Sequence, residues 1–278
     1  MSGSHDLARR FLASLMSVGL VACGSLPVQP PPCPLPANKA EVAIECEGEY
    51  GLHLQGIATN AVDAVYWSFT MVLVKTDLAG KVLAKAKASG HLGDLTYHDG
   101  KVYAAYCVAW DRANDKSKVF VYDGGDLSLL EVKRVPEVEY GAGAIAYHNG
   151  HFYIGGGEEA GRETNRIYEY DGEFRHVTTH TIASGHTELG VQTLCHLDNH
   201  FWLGCYGNIL LKLDGACRLV AKHRFDGSYG IAPWRDGDVL VAHTPYRLEG
   251  RSKRWRGVAR LARPDREHGL VLYTAARE

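Results

Sequence analysis

His91–Cys107 reads HLGDLTYHDGKVYAAYC: a short apolar run, an Asp-Gly pair, then a second run with alternating apolar residues. Asp-Gly between two such runs is a strong hairpin signal, because a two-residue turn needs positive φ and these residues tolerate it. The second half of the unit recurs as YHNGHFYIGG from Tyr147, HLDNHFWLGC from His196 and WRDGDVLVAH from Trp234. A worn copy, NAVDAVYWSF, starts at Asn60. After each copy comes another pattern, strand, Asp-containing turn, strand: MVLVKTDLAGKVLAKAKA from Met71, SKVFVYDGGDLSLLEVKRV from Ser117, NRIYEYDGEFRHVTTHTI from Asn165 and NILLKLDGACRLVAKHRF from Asn208. GVARLARPDREHGLVLYTA from Gly257 is a looser fifth copy.

Each unit therefore holds four short strands, and there are five units. Tyr66, Tyr103, Tyr153, Trp202 and Leu240 occupy matching positions, 37 to 50 residues apart, the period of a propeller blade. A four-stranded blade cannot bury both faces alone, and radial packing against neighbours does so while leaving only short edges. The expected fold is all-β, a five-bladed β-propeller of four-stranded antiparallel blades. A β-sandwich with similar hairpins does not explain five aligned units. VAIECEGEYGLHLQG from Val42 resembles LEVKRVPEVEYGAG from Leu130, where a last blade strand runs into the next first strand. The N-terminal strand is thus expected to join the last blade and seal the ring.

The N-terminus reads as an address. Arg9 and Arg10 precede the apolar run FLASLMSVGLVA, Phe11–Ala22, which is too short to span about 30 Å of hydrocarbon. The run ends Leu20-Val21-Ala22-Cys23-Gly24, which resembles the bacterial lipoprotein box, and that resemblance implies lipidation at Cys23. The expected division is a lipoprotein signal over 1–22, a Pro-rich tether over 23–40, and the propeller over 41–278. Two acyl chains hold a protein stably at a membrane surface. Gly24 after the Cys, by resemblance to Gram-negative lipoproteins, points to the outer membrane, in a bacterial envelope facing the periplasm. Formal net charge is −2, with 30 basic and 32 acidic residues, so there is no nucleic-acid footprint. Export permits disulfides, but the spacing of Cys33, Cys46, Cys107, Cys195, Cys205 and Cys217 suits neither a metal site nor a disulfide scaffold. With a two-residue turn at Asp198-Asn199, Cys195 sits opposite Trp202 and cannot bridge to Cys205. Most of these cysteines are expected to be small buried apolar residues.

One face of the ring collects the long connections: Val108–Lys118, Gly155–Asn165 and Thr244–Trp255. Loops beyond the needs of the scaffold usually carry binding. The starts of the innermost strands lie on the same face: HLQG at His53, HLGD at His91, GAGA at Gly141, LGVQ at Leu189 and SYGI at Ser228. His53, Gln55, His91, Asp94, Gln192 and Tyr229 are expected to converge on the axis, as a ligand pocket or as a polar plug. Trp110, Arg162, Tyr206 and Arg247 lie on or beside the loops. The last loop is basic and aromatic, with Tyr246, Arg247, Arg251, Lys253, Arg254, Trp255 and Arg256. Guanidinium pairs with anions in bidentate fashion and rings stack on sugars, so a carbohydrate or another anionic ligand is the expected cargo.

Two other readings stay open. His91 and Asp94 are candidates for acid–base chemistry in a hydrolase or lyase, and His53, His91 and Asp94 are candidate ligands of a divalent metal. No HExxH or GxSxG motif supports either reading, and the paired carboxylates of a glycosidase are not evident. A scaffold for an envelope protein partner is the third reading.

The runs HLQGIA, VYWSFTMVLVKTDLAGKVL, GAGAIAYHNGHFY and YGNILLKLD resemble a group of uncharacterised secreted bacterial five-bladed propellers, over roughly Leu52 to His243. That resemblance implies the fold and export and no activity. LQGIA at Leu54 resembles the opening of glutaminyl cyclases, but the acidic motif of their active site is not evident, so their activity is not carried over. Fold alone does not set function.

Overall fold

The computed structural model describes residues 38–107 and 117–274. The expected signal, the lipidation site Cys23, Cys33, most of the tether, and Trp110 lie outside the described residues.

β1 (Ala43–Glu45) precedes the first blade. Blade one is β2 (Gly56–Thr59), β3 (Val65–Phe69), β4 (Val72–Thr76) and β5 (Val82–Lys87). Blade two is β6 (His91–His98), β7 (Lys101–Cys107), β8 (Ser117–Asp123) and β9 (Leu129–Arg134). Blade three is β10 (Ala142–His148), β11 (His151–Gly156), β12 (Asn165–Asp171) and β13 (His176–Ile182). Blade four is β14 (Thr193–Leu197), β15 (His200–Cys205), β16 (Ile209–Asp214) and β17 (Leu219–Arg224). Blade five begins with β18 (Ile231–Pro233) and β19 (Val239–His243). A separate hairpin, β20 (Tyr246–Glu249) with β21 (Ser252–Trp255), intervenes before β22 (Val258–Asp265) and β23 (Gly269–Leu272). All pairings are antiparallel, and the chain is a five-bladed β-propeller.

The turns are built as their residues require. Asp99-Gly100, Asn149-Gly150, Asp198-Asn199 and Asp236-Gly237 all have positive φ at both positions, the conformation of type I′ hairpins. At the next turn of each blade one carboxylate caps the backbone. The Oδ1 atoms of Asp77, Asp123, Asp171, Asp214 and Asp265 each accept two N–H groups from the residues that follow.

The repeat positions meet in register. Ala58, Thr96, Ala146, Cys195 and Ala232 of the inner strands lie opposite Tyr66, Tyr103, Tyr153, Trp202 and Leu240. A small residue toward the axis faces a large one further out, which suits a wedge-shaped blade. The buried apolar residues form five clusters, each spanning a seam between two blades. Cys46, Cys107, Cys195, Cys205 and Cys217 are all buried. Burial pushes the Cys46 thiol up to about 11 and the Cys205 thiol to about 12.

Closure uses both ends of the chain. β1 pairs with β22 (Ala43 opposite Arg260, Glu45 opposite Val258), and β23 pairs further along the same strand (Ala262 opposite Leu272). Lys39 Nζ donates to Asp238 Oδ2 at 2.6 Å and the Tyr273 hydroxyl donates to Asp238 Oδ1 at 2.9 Å. One buried carboxylate thus ties both ends to the blade-five turn. On that face Arg235 donates from Nε to the Ala61 carbonyl and from Nη2 to the Val62 carbonyl, both at 2.6 Å, joining blade five to blade one.

Candidate functional site at the mouth of the ring

The long-loop face carries a compact polar group. Gln55 stands just before β2, His91 opens β6 and His53 lies two residues upstream of Gln55. His53 Nδ1 donates to the Leu54 carbonyl at 2.9 Å, which leaves its Nε2 as an acceptor. The buried Gln55 amide lies 3.2 Å from His53 Nε2, 3.2 Å from His91 Nε2 and 3.3 Å from the Thr70 hydroxyl. One NH₂ group thus serves both imidazoles. Burial first, and then the nearby His53, pushes the His91 imidazolium pKa down, so His91 is uncharged at neutral pH.

Aromatic rings surround this group. His53 makes edge contacts with Trp255 at 5.6 Å and Tyr229 at 6.1 Å between centroids, and Tyr229 meets Tyr206 at 6.2 Å. Trp255 is fixed by two backbone bonds to Tyr50, each 2.9 Å, which seat the β20–β21 hairpin over the mouth. Five expected residues, His53, Gln55, His91, Tyr206 and Tyr229, are therefore together. Thr70 and Trp255 complete the group. Trp255 is the only tryptophan in the basic loop, and that was its signal; nothing in the sequence marks Thr70.

The other expected residues are elsewhere or already committed. Asp94 does not join the histidines. It is fully buried in a bulge of β6, and its Oδ2 accepts the Leu194 N–H of blade four at 2.8 Å. Its other oxygen, Oδ1, is buried with no hydrogen-bond partner. Gly56 of blade one approaches so closely that a Cβ there would lie 2.4 Å from the Asp94 Cα. Asp94 is thus a peg between blades, which removes it from the metal set with His53 and His91 and from acid–base work with His91. Among the described residues no group of three or more His, Cys, Asp or Glu could hold a metal ion. Gln192 turns its amide to the Leu189 carbonyl at 2.9 Å. Arg247 is paired with Glu49 through two 2.7 Å bonds, and Arg162 with Glu158 at 3.2 Å and Glu159 at 3.3 Å. These guanidinium groups already have their anions. Arg247 and Glu49 are exposed enough that Arg247→Ala should leave the melting temperature unchanged in a thermal scan, as surface pairs usually do.

A separate space lies at the opposite end of the ring. A cavity of about 280 Å³ is lined by the far ends of the inner strands of all five blades. The repeated YHDG-like stretches gave only hairpins at sequence level, and a void between them has no sequence signature.

The fold and this mouth define a propeller with one aromatic, hydrogen-bonding face. The Myxococcus xanthus glutaminyl cyclase structure is similar in fold, with TM-score 0.53 and 14% identity, covering 82% of this chain and 97% of that one. The computationally designed Ika4 protein (TM-score 0.38, 17% identity, 62% and 96% covered) and BamB from Moraxella catarrhalis (0.36, 14%, 67% and 60%) are more distant. No protein-family profile matches the sequence, and no curated protein matches it.

Proposed function

We propose that this chain is an envelope lipoprotein whose propeller binds an uncharged carbohydrate at the long-loop face. The observation that carries the reading is the Gln55 amide, held between two imidazoles and walled by Trp255, Tyr229 and Tyr206. Sugars are bound by flat apolar walls with a few fixed polar groups, and this mouth supplies both. The pairing of Arg247 and Arg162 with carboxylates favours a neutral sugar over an anionic one. A hydrolase or lyase here would have to work with His53 and His91 alone, because Asp94 is fully buried and held by the Leu194 N–H of blade four. The membrane anchor belongs to the same proposal, and rests on Arg9, Arg10, the apolar run and Leu20–Gly24.

A glycan array on the purified protein tests the binding. Trp255→Ala is expected to weaken the best neutral glycan roughly thirtyfold, the size of a hot-spot truncation. Arg247→Ala is expected to change nothing. Binding confined to sulfated or uronic glycans, lost in Arg247→Ala and kept in Trp255→Ala, defeats the neutral-sugar reading. For the anchor, metabolic labelling with an alkynyl fatty acid should mark the wild-type chain and not Cys23→Ala.

A further inference from the structure

Among the described residues the outermost strands of blades one to four have open edges, and their sequences treat those edges differently. In each, a bulge leaves one extra residue without a cross-strand partner: Leu83 in β5, Leu130 in β9, Val177 in β13 and Val220 in β17. Two residues further on stand Lys85, Val132, Thr179 and Lys222. An open edge is a template for another strand, and a lysine there blunts it. β5 and β17 have that lysine. β13 has Thr179, whose hydroxyl lies 2.9 Å from His176 Nε2. β9 has Val132, and with Leu129 and Leu130 it exposes more large apolar residues than any other described strand.

The backbone of β9 fixes how a further strand can add. The Val135 N–H donates to the Ser117 carbonyl at 3.3 Å, so these two residues form a hydrogen-bonded pair between β9 and β8. Bonded and non-bonded pairs alternate along an antiparallel ladder, so Lys133 and Glu131, opposite Val119 and Val121, also turn their backbone groups toward β8. Val132 and Arg134 are in the other phase, and their N–H and C=O groups point away from the blade. A second β9, antiparallel and related by a two-fold axis at Val132, meets that phase. Val132 then pairs with the partner's Val132, and Arg134 with the partner's Leu130. Glu131 faces the partner's Lys133, and Lys133 faces the partner's Glu131. Within one chain Lys133 Nζ already lies 2.6 Å from Glu131 Oε1, so the pairing joins two ion pairs into one alternating cluster. The same construction fails for β5 and β17. Their phase is set by the Ala88 N–H on the Met71 carbonyl and the Phe225 N–H on the Asn208 carbonyl, and it places Lys85 or Lys222 against its own copy. Like charges directly opposite are unfavourable.

We propose that the open edge of β9 is a self-association surface, on which a second copy of this chain adds its own β9 antiparallel, with Val132 on the two-fold axis. The charges along the strand are self-complementary in this register, and the outward backbone groups of Val132 and Arg134 gain partners. Leu130 and Val132 are covered in the same step. The interface is one short strand per copy, so the dimer is weak and concentration-dependent, with a Kd on the order of 100 µM. It is independent of what the mouth binds.

The test is sedimentation equilibrium of the full chain in density-matched detergent over a range of protein concentrations. The wild type is expected to pass from one chain mass toward two as concentration rises. Val132→Lys gives β9 the lysine of β5 and β17 and should weaken the dimer about tenfold. Glu131→Lys sets two lysine pairs against each other across the axis and should weaken it by a similar factor. Adding Lys133→Glu to Glu131→Lys restores opposite charges and should bring the wild-type Kd back. Two copies that merely share a micelle do not respond to these changes. The proposal is overturned by a wild type that stays monomeric throughout, by a dimer as strong in Val132→Lys as in the wild type, or by a charge-swapped double variant no tighter than Glu131→Lys. If Val132→Lys fails to fold, the charge swap decides alone.

Discussion

Asp94→Ala is expected to lower the stability of the propeller by about 1–3 kcal/mol, and its melting temperature by roughly 5 °C. The substitution leaves the Leu194 N–H buried without its acceptor, and such an orphan is costly. It also opens a hole where blades one, three and four converge on blade two. Asp94→Asn keeps an oxygen in the same place and should lose only about 1 kcal/mol. Gly56→Ala should be damaging too, and Asp94→Ala should not rescue it, because the added methyl group meets the Asp94 Cα as well as Oδ1. Thermal denaturation of the set decides. An Asp94→Ala variant that melts with the wild type means that the peg holds nothing.

The same residue sets a pH dependence. Burial without a counter-charge pushes the Asp94 carboxyl well above the usual carboxylate range, against the pull of nearby backbone N–H groups, that of Leu194 first. A raised folded-state pKa means that the native protein binds more protons than the unfolded chain between the two values. Stability from this group is therefore complete below the ordinary carboxylate pKa and is lost as pH rises through the raised one. Urea unfolding of wild type and Asp94→Asn at increasing pH should show the wild-type advantage shrinking. An advantage that grows with pH means that the N–H groups outweigh burial and the ionised form is the one the fold prefers.

What could be read in the sequence follows from what repeats. The positions Tyr66, Tyr103, Tyr153, Trp202 and Leu240 are visible because each blade needs a large residue opposite a small one at the same depth, so the pattern recurs five times. The capping aspartates recur for the same kind of reason. Cys195 is indeed opposite Trp202, as its two-residue turn requires. The mouth was partly legible: His53, Gln55 and His91 belong to strand starts, and strand starts must border the axis. Asp94 was misread because it stands three residues from His91 in sequence, while a bulge in β6 turns it into the core. Arg247 and Arg162 looked available because their partners Glu49, Glu158 and Glu159 were not assigned to them. The turn-end recess was invisible, because its walls are ordinary strand residues and only their separation makes a space.

Loss of the closing strand should be more severe than loss of the peg. β1 contributes only three residues to the ladder, but Val42, Ile44 and Cys46 are all buried in the seam between blade five and blade one, with Trp67, Phe69 and Leu261. Burying a Val or Ile side chain contributes about 1.5–3 kcal/mol, so this short segment supplies a sizeable part of the 5–15 kcal/mol that holds a typical domain folded. It also covers the outer edge of β22 along Val258–Arg260, where β23 does not reach. An exposed edge there would leave unpaired backbone groups ready to pair with another chain. Ile44→Asp places a carboxylate in that seam and should cost at least 4 kcal/mol. A chain that begins at Glu47 should lose cooperative unfolding at 37 °C and associate through the opened edge, seen by size-exclusion chromatography beside a thermal scan. Glu45→Ala, on the exposed side of the same strand, should behave as wild type. If the shortened chain stays monomeric and melts at the wild-type temperature, then β23 alone closes the ring and β1 is an ornament on its edge.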